Sequence, residues 1–179
     1  IRKEIIMTTI TQNKKYIISQ SLTGVDTIIA MIFLPIIVHL VPFSGDIPLG
    51  AYLLPMFIAP LVAAFYLSPI GLVITSLIGP LLNHYLTGMP TQAMLPSIIL
   101  ELLFFSLMVS YVVRNKSGFI GMAALAFVFA KLTRTIVIGS LLTGVSLATF
   151  TPIAKGLMIA LPGLLILTVV ERFLIRRSR

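Results

Sequence analysis

Residues 78–101 read IGPLLNHYLTGMPTQAMLPSIILE, and their reading decides how the rest of the chain is taken. An apolar run ends in Asn83, His84 and Tyr85, a Gly88-Met89-Pro90 turn follows, and a second apolar run carries Glu101 one to two turns inside it. This is the pattern of one membrane helix, a turn-rich loop and the start of the next helix. Hydrocarbon offers polar groups no hydrogen bonds, so polar residues gathered at one end of an oily hairpin need partners there. The expectation is that this end faces a small-molecule site opening to the outside.

Composition agrees with the membrane reading. The 179 residues are 58% hydrophobic and only 10% charged, against roughly 25% charged residues in soluble domains. The expected architecture is an all-α integral membrane protein, with 1–179 as one transmembrane domain and no soluble domain. With no cysteine, disulfides, thiolate metal sites and cysteine nucleophiles are excluded. The net charge of +8 reads as topogenic rather than as a nucleic-acid surface, because so few polar residues accompany it. The polar segment IRKEIIMTTITQNKKY lacks the apolar core of a signal peptide.

Working outward, residues 1–15 read as a cytoplasmic lead-in whose Arg2, Lys3, Lys14 and Lys15 can meet anionic headgroups. Apolar spans are predicted over about Tyr16–Val41, Leu49–Leu67, Ile70–Leu86, Met94–Val113, Phe119–Leu142 and Pro152–Phe173, with a basic tail at 174–179. The first of them is long enough for roughly 30 Å of hydrocarbon at about 1.5 Å per residue. Six spans put both termini on one side. That side collects Arg2, Lys3, Lys14, Lys15, Arg114, Lys116, Arg172, Arg176, Arg177 and Arg179, ten of the thirteen Lys and Arg. The opposite loops, 42–48, 87–93 and 143–151, hold none. The positive-inside rule therefore makes both termini cytoplasmic.

The other three cations are inside spans. Counting about 1.5 Å per residue, Arg134 lies roughly 8 Å below the outer face, Glu101 roughly 8–11 Å and Lys155 roughly 5 Å. Asn83 and His84 reach the same outer third, while Asp26 falls nearer mid-membrane, close to the level of Lys131. Pairs of Glu101 with Arg134 and Asp26 with Lys131 could simply hold a bundle in register. Yet each intramembrane charge costs about 2.5–3.5 kcal/mol on insertion scales, so a set of them in one layer points to function. Three cations against two acids leave the layer positive, which favours a ligand with a carboxylate or phosphate. Arg134 and Lys155 are expected to hold that anionic or carbonyl group, with Asn83, His84 and Glu101 orienting the rest.

Other chemistries find little support. His39 and His84 lack a metal-binding spacing, so no metal and no cofactor are expected. There is no G-x-x-x-x-G-K-[ST] and no G-x-S-x-G, and no nucleophile sits beside paired carboxylates, so the chain is not expected to be an enzyme. Pro35, Pro55, Pro60, Pro80, Pro96 and Pro162 bend or break spans. Ala59-x-x-x-Ala63, Gly71-x-x-x-Thr75-x-x-x-Gly79 and Ala126-x-x-x-Ala130 are stripes for close helix contact.

Several stretches together resemble the substrate-binding S components of energy-coupling-factor (ECF) transporters, the prokaryotic vitamin importers. They are Leu53-Leu54-Pro55-Met56, Ser76–Asn83 with Leu86-Thr87-Gly88-Met89-Pro90, and Leu95-Pro96 followed by Ile99-Leu100-Glu101-Leu102. Lys131-Leu132-Thr133-Arg134 stands where such proteins often carry a basic site on the fifth helix, and size, span count and basic tail also agree. The resemblance implies a multi-pass subunit of a prokaryotic cell membrane that binds a vitamin-like small molecule under the outer loops. It would hydrolyse no ATP itself and would work with a transmembrane T component and two ABC ATPases. Substrate contacts are then expected from Asn83, His84, Tyr85, Glu101, Lys131, Arg134 and Lys155, and carboxylates of the nicotinate or pantothenate kind suit them. The chain departs from the family on its first helix, where Ser19-x-x-x-Thr23-x-x-x-Thr27 replaces the usual Ala-x-x-x-Ala coupling stripe. Two other readings fit the same residues: a self-sufficient secondary transporter or channel using Asp26 and Lys131 in proton coupling, and a scaffold that transports nothing.

Overall fold

The computed structural model describes residues 2–45, 47–115, 119–142 and 151–178. These residues are helical with short connections: α1 (Arg2–His39), α2 (Leu49–Leu53), α3 (Pro55–Ala63), α4 (Pro69–Thr87), α5 (Leu95–Arg114), α6 (Met122–Leu142) and α7 (Thr151–Ser178). Taking α2 and α3 as one interrupted segment, six helical segments form a bundle. Among the described residues, four stretches are long and apolar enough to cross a membrane: Thr11–His39, Pro69–Thr87, Leu95–Arg114 and Ile153–Arg177. The expected third and fourth spans match α4 and α5 to within a residue at each end. The first and last are longer than expected, because the lead-in from Arg2 and the basic tail through Arg177 continue the helices. The expected connection at 143–151 lies outside the described residues up to 150, as do Asp46, Lys116 and Arg179.

The expected second span is broken, and the break is built from sequence. Pro55 excludes the right-handed helical region for the residue before it, and Leu54 takes φ 51°, ψ 43°. A buried leucine in that region is strained, by about 1 kcal/mol or more. The break is held by Leu54 N–H donating to Gly50 O at 3.1 Å and by the close approach of α7 at Gly163. A Cβ on Gly163 would stand 2.7 Å from Tyr52 O and 2.9 Å from the Leu53 carbonyl carbon. Gly163→Ala is expected to cost about 1–3 kcal/mol by overpacking against backbone that cannot yield. Thermal unfolding in detergent reads this directly, and an unchanged midpoint would contradict the assignment.

α3 forms the heart of the bundle, with all but two of its nine residues buried. It touches α1, α4, α5 and α7. Phe57 stands edge-on to Phe105 (5.2 Å, 86°) and to Phe127 (5.0 Å, 76°), which joins α3, α5 and α6 in one aromatic group. The small-residue stripes serve close contact as expected: Ala59, Ala63, Ala126 and Ala130 are all buried. Gly24 of α1 approaches Thr75 of α4, and Gly79 receives Met31.

One end of the bundle is fastened by side chains that bond backbone. Gln20 of α1 donates to Tyr66 O (2.9 Å) and accepts from Ser68 N–H (2.6 Å), spanning the turn between α3 and α4. Arg114 donates to Leu67 O (2.7 Å) and to Ser110 Oγ (3.0 Å). Glu171 of α7, fully buried, accepts N–H bonds from Gly121, Met122 and Ala123 at 2.8, 3.3 and 2.7 Å. Its carboxylate thus serves the unsatisfied donors at the start of α6, where the helix dipole also favours negative charge.

Candidate functional site

The opposite end of the bundle is hollow. An open cavity of about 570 Å³ is lined by every helical segment and by the loop after α4, within the range of about 300–1,000 Å³ usual for small-molecule sites. Its walls include Pro35 and His39 of α1, Leu54 at the break, Met56 and Phe57 of α3, and Asn83 of α4. Met89 and Pro90 come from the loop, Ser97 and Glu101 from α5, Phe127, Lys131 and Arg134 from α6, and Gly156 and Ile159 from α7.

The loop is positioned by local chemistry. α4 ends at Gly88, whose φ of 74° is the left-handed cap glycine supplies without strain, and its N–H donates to His84 O at 2.8 Å. The Thr87 hydroxyl bridges the turn, donating to Asn83 O (2.7 Å) and accepting from Met89 N–H (3.1 Å). His84 Nδ1 meets Pro90 O at 2.7 Å. The Pro90 segment is thereby drawn over the cavity.

The charged group sits on the α5–α6 side. Lys131 Nζ and Arg134 Nε approach the same carboxylate oxygen, Glu101 Oε1, at 3.2 and 3.1 Å. Lys131 donates a hydrogen bond to it and also lies 5.1 Å from the centre of the Phe127 ring, a cation–π arrangement. Gly156 of α7 lies against this ammonium: a Cβ there would be in ordinary contact with it, 3.8 Å from Nζ. The Glu101 side chain is nearly buried, whereas that of Arg134 stays 28% exposed. Arg134 Nε is near enough to Glu101 for charge attraction but is not aimed to donate, and it is a buried donor without an acceptor. Two cations on one carboxylate leave the group one positive charge in excess.

Asn83, Glu101, Lys131 and Arg134 therefore meet in the cavity wall. His84, Tyr85 and Lys155 do not line it. His84 turns to the Pro90 carbonyl and holds the loop. Tyr85 is 85% exposed on the outer side of α4, and Lys155 is exposed on α7 next to the wall residue Gly156. Successive helical residues point about 100° apart, so neighbours of a wall residue face elsewhere. The considered pair of Asp26 with Lys131 is not formed: Lys131 is bound to Glu101, and Asp26 is exposed on α1. His39, Phe57, Phe127 and Gly156 belong to the wall without having been singled out for it; only the prolines near His39 and Phe57 hinted at a break in that region. Among the described residues no three His, Cys, Asp or Glu side chains converge as metal ligands would.

Comparison of the chain with protein-family models, with curated proteins and with solved structures yields no match.

Proposed function

We propose that the protein is a membrane-embedded binding subunit that captures a small anionic micronutrient from outside, in the manner of an ECF S component. The observation that carries this reading is the cavity of about 570 Å³ at the end remote from the basic residues Lys14, Lys15, Arg114, Arg176 and Arg177. Its wall is mostly apolar, with Asn83, Ser97 and a charge group of net +1 as fixed polar features, the usual composition of a ligand site. Arg134, half-free and with an unmet donor, is the residue for the ligand's carboxylate or phosphate. Lys131 and Glu101 hold that side of the wall in place. On this reading both termini are cytoplasmic, the mouth opens outward, and delivery inward depends on a T component and two ATPases, as in the proteins the sequence resembles.

Organic extraction of the purified protein, followed by mass identification of the released compound, identifies the ligand. Arg134→Gln is then expected to weaken its binding at least about tenfold, the loss of one charge-assisted hydrogen bond, with the thermal midpoint of the empty protein little changed. Equal affinity in a folded variant would remove Arg134 from the site. Substrate uptake into liposomes holding this chain alone would instead favour a self-sufficient transporter.

A further inference from the structure

Glu101 carries an acceptor that the wall leaves unused. Lys131 and Arg134 both approach Oε1, and among the described residues Oε2 accepts no hydrogen bond. The side chain is nevertheless only 8% exposed. Among the described residues, Arg134 Nε is the one side-chain nitrogen or oxygen that is both closed to solvent and unbonded. Oε2 is unbonded as well, so it keeps some open surface, and the open space that Glu101 lines is the cavity.

A carboxylate accepts through both oxygens, at about four lone-pair sites. Water can serve Oε2 while the cavity holds solvent. A guest that displaces this water without replacing its hydrogen bond leaves a charged acceptor unpaired in a mostly apolar wall, which costs affinity. A guest whose carboxylate lies on Arg134 meets a second cost. Arg134 Nε is 3.1 Å from Oε1 of the same Glu101 carboxylate, so the two anionic groups become neighbours and repel. A hydrogen-bond donor on the guest, set beside its carboxylate, removes both costs together.

That donor is neutral. Lys131 and Arg134 stand 3.2 and 3.1 Å from Oε1, and an ammonium brought to Oε2 would meet two like charges. A guest of charge −1 also balances the excess positive charge of the group, which a zwitterion does not.

The geometry points to Glu101 Oε2 as a specificity-determining acceptor. The cavity takes a carboxylic acid that bears a neutral O–H or N–H next to its carboxylate, as α-hydroxy acids and N-acylamino acids do. It discriminates against the same acid without that donor. The inference rests on reading Arg134 as the carboxylate contact and adds what the neighbouring Glu101 demands of the guest.

Isothermal titration of the purified full chain in detergent with matched acids tests this. One pair is phenyllactate and phenylpropionate, which differ by a hydroxyl. The other is hippurate and benzoylpropionate, in which a methylene replaces the N–H. In each pair that binds, the donor-bearing acid is expected to bind at least about tenfold more tightly, the worth of one hydrogen bond to a charged group. Glu101→Leu with Lys131→Met replaces the ion pair by apolar groups and leaves Arg134, so the two members of a pair should bind equally there. Should that variant not fold, the pairs on the unaltered chain decide alone. Equal affinities within the pairs, or a preference that survives in the folded double variant, overturn the proposal and leave Arg134 as an anion contact. Failure of all four acids to bind at millimolar concentration, or equal binding of phenyllactate and its methyl ester, overturns the anion reading itself and this proposal with it.

Discussion

Replacing Glu101 by alanine lowers the stability of the protein by about 3 kcal/mol, at the low end of what removing one partner from a buried ion pair costs, because the cavity side of the group is open to water. The loss comes from what remains. Lys131 and Arg134, both within 3.2 Å of Glu101 Oε1, are left as two like charges with nothing between them. Glu101→Gln keeps the shape but not the charge, so it should be nearly as harmful. The double variant Glu101→Gln with Lys131→Met should recover part of the loss, since a single cation at the cavity edge is better solvated than two. Thermal unfolding of the four proteins in detergent gives the coupling. Additive effects would show that Glu101 and Lys131 do not act as a unit.

Glu171→Ala is the second large effect, with an expected cost of at least about 3 kcal/mol. Three backbone N–H groups at the start of α6 lose their acceptor in a place where the carboxylate was fully buried, and buried donors without partners cost about 1–3 kcal/mol each. Glu171→Gln retains one acceptor oxygen but sets an amide NH2 against backbone donors, so it should rescue little. Hydrogen exchange separates this from general damage: amides of residues 121–125 should lose protection ahead of those in α3. Uniform loss of protection would mean that the carboxylate serves the whole core and not the helix end.

Much of the bundle was legible because depth is readable from sequence. Apolar runs mark spans, and a fixed rise per residue puts Glu101, Arg134 and Asn83 in one layer, where the cavity has them. Direction around each helix is not readable in the same way. His84 and Tyr85 follow Asn83 directly, and Lys155 precedes Gly156; one residue of offset turned them from the wall to the loop or the exterior. Asp26 shared a level with Lys131 but not a facing side. The break before Pro55 was marked by proline, whereas a leucine with φ 51° is a conformation no local preference would select; tertiary contact with Gly163 sustains it. Glu171 drew no notice because acids near a span's end are inexpensive, and only the backbone of another helix reveals its use.

The bonds that tie different segments together are unevenly distributed along the bundle axis. Gln20, Arg114 and Glu171 rivet main chain to main chain at one extremity. At the other, among the described residues, the polar tie between segments is the α5–α6 charge group, and the wall at Leu54 turns on a single left-handed residue. Among the described residues the polar ties between segments thus gather at the base and thin out toward the rim, as in a set of tongs held at the pivot. If the cavity takes a guest as proposed, one of a different size is expected to be accommodated by small angular movements of the helices about that base, which would widen the rim while the base stays still.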